Sequence, residues 1–285
     1  MKSKYILAFI SFIINIFLVS GNLTPCTLWA SAGKKTQGMG TIIVKQRDYL
    51  PDNYQVLRVK ISRRYYSYVG LFSRGGKAPG LKAGVNEHGL VAVSATASSI
   101  PRRIRLRNRR TKRFLSKILK RCKTVHEAVR LIKRYKGARF VMLADRNYIA
   151  HVEMPLRGRN KFVVKRHGYL YHANHYVFPG MKKWNYRNSK SSKSRHKRIK
   201  YLLTKHRHFF TVNDFLKFSV DRHNGPDNSI WRTGSTKRKV RTLSTWIVRV
   251  FPNGYFQLFL KIANPGEKMR EYYLDKGLFF KKQVK

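Results

Sequence analysis

The order in which strand-like and helix-like runs follow one another is the strongest constraint on this chain. Runs that suit strands come in pairs around tight turns, and the helical patterns fall in two separate blocks between them. Residues 27–32 and 41–45 flank Gly38-Met39-Gly40. Residues 140–144 and 148–153 flank Asp145-Arg146-Asn147, and residues 243–251 and 255–262 flank Pro252-Asn253-Gly254. Such pairs read as hairpins. Further strand-like runs cover 55–61, 65–72, 90–96, 163–165 and 169–172, with a turn at Lys77-Ala78-Pro79-Gly80. In the first helical block Phe114, Leu115, Ile118 and Leu119 recur at helical spacing, with Lys117, Lys120 and Arg121 between them. That is an amphipathic helix with a solvated basic face. Thr124-x-x-Glu127 is a capping box opening a second helix to about Tyr135. The second block predicts a helix around 195–203 and another, capped by Thr211-x-x-Asp214, to about Val220. Strands and helices do not alternate regularly and no repeat is present, which excludes a βαβ-built parallel sheet. The expectation is an α+β fold of largely antiparallel sheets.

Charge sets the next limit. The chain holds 62 Lys and Arg against 12 Asp and Glu, a formal net charge of +50. Such a charge attracts polyanions. The basic residues are not gathered in one arm but recur within the strand-like runs, at Arg58, Lys60, Arg249 and Lys261. This argues for a generally basic surface with non-specific attraction to anionic surfaces, and against a dedicated nucleic-acid partner. Hydrophobic residues make up 42% and aromatic residues 13%, enough for a packed core, so the charge does not imply disorder.

The N-terminus reads as an export signal. Lys2 and Lys4 precede an apolar run over 6–19, followed by Ser20 and Gly21. The run is shorter than the roughly 20 residues a membrane span needs. The expected organisation is a signal peptide over 1–21, a short propeptide over 22–25 and one domain over 26–285, with the protein periplasmic or secreted. An uncleaved anchor is the other reading. Lipidation of Cys26 is disfavoured by Pro25, which stands where a small, flexible residue is normal.

Two cysteines, Cys26 and Cys122, do not make a disulfide-built scaffold, and whether they pair stays open. A free cysteine is more often a small buried hydrophobe than a nucleophile. Position changes that for Cys26: one cleavage just beyond the leader makes it the N-terminus. An α-amine titrating near about 7.7–8.0 then sits beside a thiol of about 8.5, so one residue carries both nucleophile and base. His172-x-x-His175 and His206-x-His208 have spacings a metal can use, but no acidic or cysteine ligand stands beside them, so neither a metal site nor a cofactor is expected. Phosphate-loop, Gly-x-Ser-x-Gly and dinucleotide fingerprints do not occur.

Several segments, taken in order, carry a more specific resemblance. Cys26-Thr27 is followed by Lys45-Gln46-Arg47-Asp48-Tyr49, then by residues 79–90 with Asn86-Glu87-His88-Gly89-Leu90. His172-Ala173-Asn174-His175-Tyr176, Ser194-Arg195 with Arg198, residues 221–232 with Asn228-Ser229-Ile230, and Ala263-Asn264-Pro265-Gly266 complete the series. This series resembles the cysteine N-terminal-nucleophile (Ntn) hydrolases, in particular the penicillin acyltransferase-like family and, more distantly, the choloylglycine hydrolases. The resemblance implies a four-layer αββα sandwich of two mainly antiparallel sheets. It also implies self-cleavage at Pro25–Cys26 and attack of the Cys26 thiolate on a linear amide, in a small N-acyl or peptide-like substrate. Carried over by residue, Asp48 holds the new α-amine, and Asn174 holds the oxyanion together with a backbone N–H in 94–96. Arg195 supports the site electrostatically, and Lys45 stands where relatives often have arginine, so a planar fork is lost there. Asn86 reads as a turn residue. Water as the second substrate makes the chain a hydrolase and an amine makes it an acyltransferase. A non-catalytic basic envelope-binding protein on the same fold is the reading from another class.

Overall fold

A computed structural model of the protein describes residues 26–76, 78–107 and 113–280. The expected signal peptide and propeptide, the first residue of the expected turn at 77–80 and part of the basic segment before Phe114 lie outside the described residues. Two antiparallel sheets carry the fold. The six-stranded sheet has the order β10-β1-β2-β11-β12-β13, formed by Gly168–His172, Cys26–Ala32, Thr41–Tyr49, Arg241–Val250, Phe256–Ile262 and Arg270–Asp275. The seven-stranded sheet runs β3-β4-β5-β6-β7-β8-β9, formed by Tyr54–Lys60, Tyr68–Arg74, Gly80–Asn86, Val91–Thr96, Arg139–Ala144, Ile149–Met154 and Lys161–Lys165. The expected hairpins are present, and each is closed by local chemistry. Asp145 Oδ1, for example, accepts from the N–H groups of Asn147 and Tyr148. In the β1–β2 connection Gly40 has φ +68°, and a Cβ there would lie 2.2 Å from the Val250 carbonyl oxygen, so only glycine fits.

Three apolar clusters define four layers. Between the sheets pack Leu28, Ile43, Val69, Val93, Phe140, Trp246 and Leu258. Against the outer face of the seven-stranded sheet lie α2 (Phe114–Arg121) and α3 (Val125–Ile132), which bury Phe114, Ile118 and Ile132 on Leu143 and Val152. They follow α1, the short helix Arg102–Arg107. Against the outer face of the six-stranded sheet lie α4 (Lys190–Lys205) and α5 (Val212–Ser219), burying Ile199, Leu203 and Phe215 on Ile42, Val44 and Ile247. The expected αββα sandwich is the observed architecture. Thr211 and Asp214 form a full capping box, whereas at Thr124 only half of the expected box forms: Thr124 accepts from the Glu127 N–H, and the Glu127 carboxylate accepts from the Lys123 N–H and the Thr124 hydroxyl instead of the Thr124 N–H. Two short helices, α6 (Gly225–Asn228) and α7 (Lys276–Phe280), complete the elements of the described residues. Both cysteines are free: Cys26 lies in the inter-sheet core and Cys122 in the core under α2 and α3.

The largest departure from expectation is β2. The sequence suggests a strand ending at Lys45, whereas the strand continues through Lys45-Gln46-Arg47-Asp48 to Tyr49, every residue of it buried. Its polar end hides it from any hydrophobic pattern. It stays extended because β1 pairs with it on one side and β11, nearly 200 residues later, pairs with it on the other as far as Tyr49. Buried polar side chains in a central strand depart from the usual pattern, and such departures concentrate at functional sites.

Candidate active site

The site forms where β1 begins. Cys26 is 2% exposed and pairs directly with Arg47 of β2. Alternation along β2 sends Ile43, Lys45 and Arg47 into the space between the sheets, and Gln46 and Asp48 to the helix-covered face. The contacts agree. Lys45 Nζ lies 3.5 Å and Arg47 Nη1 4.0 Å from the Cys26 Sγ, while Gln46 Nε2 donates to the Ser219 carbonyl at the end of α5. Lys45 Nζ also donates to the Ser94 carbonyl of β6. β5 pairs with β6 only as far as Val93, so along 94–96 the sole strand partner of β6 is β7, and the Ser94 and Thr96 carbonyls are met by Lys45 and Asn174.

Beyond His172 the chain leaves β10, and the turn places Asn174 over the start of β1. Cys26 N donates to Asn174 Oδ1 at 2.7 Å. Asn174 Nδ2 donates to the Thr96 carbonyl, tying this turn to the other sheet. Arg195, on the buried face of α4, holds three neighbours at once. Its Nη1 donates to the Cys26 carbonyl and to Thr27 Oγ1, each at 2.8 Å, and its Nη2 donates to Asn174 Oδ1 at 3.0 Å. Ser192, one turn earlier, accepts from the Asn174 N–H. The helix therefore begins where Ser189 caps it and delivers both residues to one point.

Asp48 sits differently from its expected place. The Cys26 nitrogen is held by Asn174, whereas Asp48 Oδ1 accepts from Thr242 of β11 and Oδ2 has no partner among the described residues. Asp48 reaches the thiol through its charge and through its backbone N–H, with Arg195, Arg232 and Arg47 around its carboxylate. Asn86, read as a turn residue, accepts from His88 and Leu90 and donates to two carbonyls at the end of α2.

The electrostatics follow from burial against company. Burial alone would push the Cys26 thiol up; the Lys45 ammonium and the Arg47 guanidinium overcome it and hold the thiol below its ordinary value. Burial lowers Lys45, opposed by the thiol it faces. Burial raises Asp48, opposed by Arg195 and Arg232. Arg195 is pushed down to about 10 by burial and stays cationic at neutral pH. Cys122, in contrast, is pushed up to about 11 by burial, with Glu127 adding to the effect. Of the two thiols, only Cys26 is held below its ordinary value.

Sequence reading missed Arg47 and Arg232. Arg47 was legible in principle, since residues two apart on a strand share a face, had β2 been extended past Lys45. Arg232 has no local signal; it reaches Asp48 only because its backbone N–H docks on Thr242 of β11. Among the histidines, His175 Nδ1 contacts Ser192 Oγ, and His206 faces Asp214 at 3.6 Å. The acid missing beside His172 in the sequence is supplied by β8, where Glu153 Oε1 lies 3.0 Å from His172 Nε2.

A family model described as acyl-coenzyme A:6-aminopenicillanic acid acyl-transferase matches residues 35–255. No curated protein matches the chain in sequence. Among solved structures, an ortholog of N-acylethanolamine-hydrolyzing acid amidase from Caenorhabditis elegans superposes with a TM-score of 0.51 at 12% identity, covering 80% of this chain and 93% of that one. A conjugated bile acid hydrolase from Clostridium perfringens superposes in two variant forms. One gives a TM-score of 0.53 at 12% identity, covering 88% of this chain and 97% of that one; the other gives 0.51 at 13%, covering 91% and 100%. At such identities these structures speak to the fold, and the family match covers most of the chain.

Proposed function

Because this chain belongs to the acyl-coenzyme A:6-aminopenicillanic acid acyl-transferase family, we propose that it is an exported cysteine amidohydrolase whose nucleophile is Cys26, freed as the N-terminus by cleavage of the Pro25–Cys26 bond. The observation that carries this reading is the environment of the thiol. Cys26 begins a central strand, two cations lie within 4.0 Å of Sγ, and its nitrogen is already held by Asn174. After cleavage the α-amine takes the thiol proton, and the thiolate attacks the carbonyl carbon of a linear amide. The tetrahedral oxyanion is held by Asn174 and a backbone N–H of residues 94–96, with the Lys45 charge beside it. Collapse expels the leaving amine, which takes the proton back, and leaves a thioester on Cys26. Water, deprotonated by the same α-amine, then releases the acid. An amine in place of water completes an acyl transfer. The signal peptide over 1–21 favours water, since acyl-coenzyme A is scarce outside the cell.

Arg195 and Asp48 are positioning residues here: Arg195 fixes Cys26, Thr27 and Asn174 in one geometry, and Asp48 balances its charge. The cations facing the thiol favour substrates with acidic leaving groups, such as N-acyl derivatives of acidic amino acids. Mass spectrometry of the mature protein tests the reading directly. A chain starting at Cys26 is the expected result, and one that starts at Asn22 and stays so refutes it. Cys26→Ala abolishes amidase turnover while leaving salt-sensitive adhesion to anionic surfaces intact, which separates the enzyme from a purely surface-binding protein.

A further inference from the structure

We propose that His151, Glu153 and His172 form a binding site for a divalent transition metal of the zinc class, set between the two sheets and apart from the thiol. His151 and Glu153 stand two residues apart on β8, on one face of the seven-stranded sheet, and His172 ends β10 in the other sheet. Their ligand atoms lie within 4.8 Å of one another, and the residues are 2%, 0% and 0% exposed.

Two details call for a cation. Both ring nitrogens of His151 are buried and without a hydrogen-bond partner among the described residues, and Nε2 stands 3.9 Å from Glu153 Oε1, too far for a hydrogen bond. His172 has the opposite difficulty. Its Nδ1 faces the Ala173 carbonyl at 2.8 Å and its Nε2 faces Glu153 Oε1 at 3.0 Å. As a neutral imidazole, with one N–H, it leaves one lone pair against another; as an imidazolium it would donate to both acceptors and leave no lone pair for a metal, which is the alternative the test must separate. The carbonyl at Nδ1 fixes that proton there and turns the Nε2 lone pair toward Glu153. Its carboxylate is already oriented by the N–H groups of Val177 and Phe178. This is how metal-bound histidines are commonly held, with the second nitrogen donating to a backbone carbonyl. A metal accepting from His172 Nε2, His151 Nε2 and Glu153 Oε1 removes the clash at His172 and gives His151 Nε2 a partner, while His151 Nδ1 keeps none among the described residues. Zinc needs bonds of about 2.0–2.2 Å, so the ligands must draw together. His151 is held by ring packing on His172, Phe178 and Phe140 rather than by hydrogen bonds, so the closing movement falls on it. Glu153 is one of only 12 acidic residues in the chain, and no lysine or arginine among the described residues pairs with it.

Such a metal would join the two sheets beneath the 173–178 turn that carries Asn174. Its role would be to fix that turn rather than to activate water for the reaction. The test uses the mature full-length protein. After exhaustive chelation, dialysis against micromolar zinc should leave one zinc per chain. Cobalt(II) should give visible d–d bands that chelator removes, and the melting temperature should be several degrees higher in zinc than in chelator. His151→Ala and Glu153→Gln should lose all three signatures. His206→Ala, a histidine on another element, should keep them. Should the two variants fail to fold, nitrogen NMR of the intact protein still decides, because the His151 and His172 Nε2 signals must move on adding zinc. Less than stoichiometric zinc, metal retained in His151→Ala, or His172 protonated on both nitrogens with zinc present would each overturn the proposal.

Discussion

Basic residues occupy two very different regions of this molecule. On α2 and α3 they face solvent: Lys117, Arg121 and Arg130 are exposed, on helices whose stability comes from Phe114, Ile118, Val129 and Ile132 beneath them. Around Cys26 they are interior: Lys45, Arg47 and Arg195 are at most 3% exposed. The side chains are of the same kind, but their contributions differ. Water and salt screen the first group, so each charge does little to stability or chemistry. The second group is in low dielectric, where a charge must be held by hydrogen bonds and in turn sets the protonation of its neighbours. An extreme net charge therefore says little about function; where a cation is buried says a great deal.

The comparison can be broken at its strongest point first. Arg195→Leu removes four hydrogen bonds, to Cys26, Thr27, Asn174 and Ser191, and leaves Asp48 without a main counter-charge. By analogy with broken buried ion pairs it should cost about 3–5 kcal/mol in denaturant unfolding and abolish turnover. A stable, active variant would mean Arg195 is a bystander. Lys45→Met should leave the fold intact and raise the thiol toward its ordinary value. The pH at which Cys26 becomes half-reactive to iodoacetamide should rise. Alkylation at pH 7 should slow by about tenfold, which corresponds to about 1.4 kcal/mol in the ionisation equilibrium of the thiol. An unchanged profile would place the thiol's activation elsewhere. Thr242→Val takes from Asp48 the one side-chain hydrogen bond it has among the described residues, and from the Arg232 N–H its acceptor, and should cost about 1–3 kcal/mol with a modest loss of activity. At the other end, Lys117→Gln, Arg121→Gln and Arg130→Gln combined should leave melting temperature and turnover unchanged. They should weaken only retention on an anionic resin at low salt; any large loss of activity would show that the surface charge is not a bystander.

Much of this was legible from the sequence where short-range physics suffices. The helix caps at Thr124 and Thr211, the turn at Asp145 and the amphipathic faces of α2 and α3 are local, and local patterns report them. Asn174 and Arg195 were named only through the order of family-like segments, since no spacing links a turn after β10 to a helix 21 residues on. Asp48 was expected at the α-amine, but alternation along β2 turns it to the helix-covered face. That was invisible while β2 was taken to end at Lys45. Glu153 was missed as the partner of His172 because the two lie on strands of different sheets.

By itself, then, the sequence determined the antiparallel α+β class, the two helical blocks, and Cys26 as the residue to watch. These follow from turn chemistry, periodicity and position along the chain. Only the tertiary structure decided what surrounds that cysteine. β11 pairs with β2 across nearly 200 residues and keeps a polar segment extended and buried, bringing Lys45 and Arg47 to the thiol, while α4 swings Arg195 onto its carbonyl. Proton affinity in an interior depends on which charges share the space, and strand pairing over that distance is not written in any local stretch of residues.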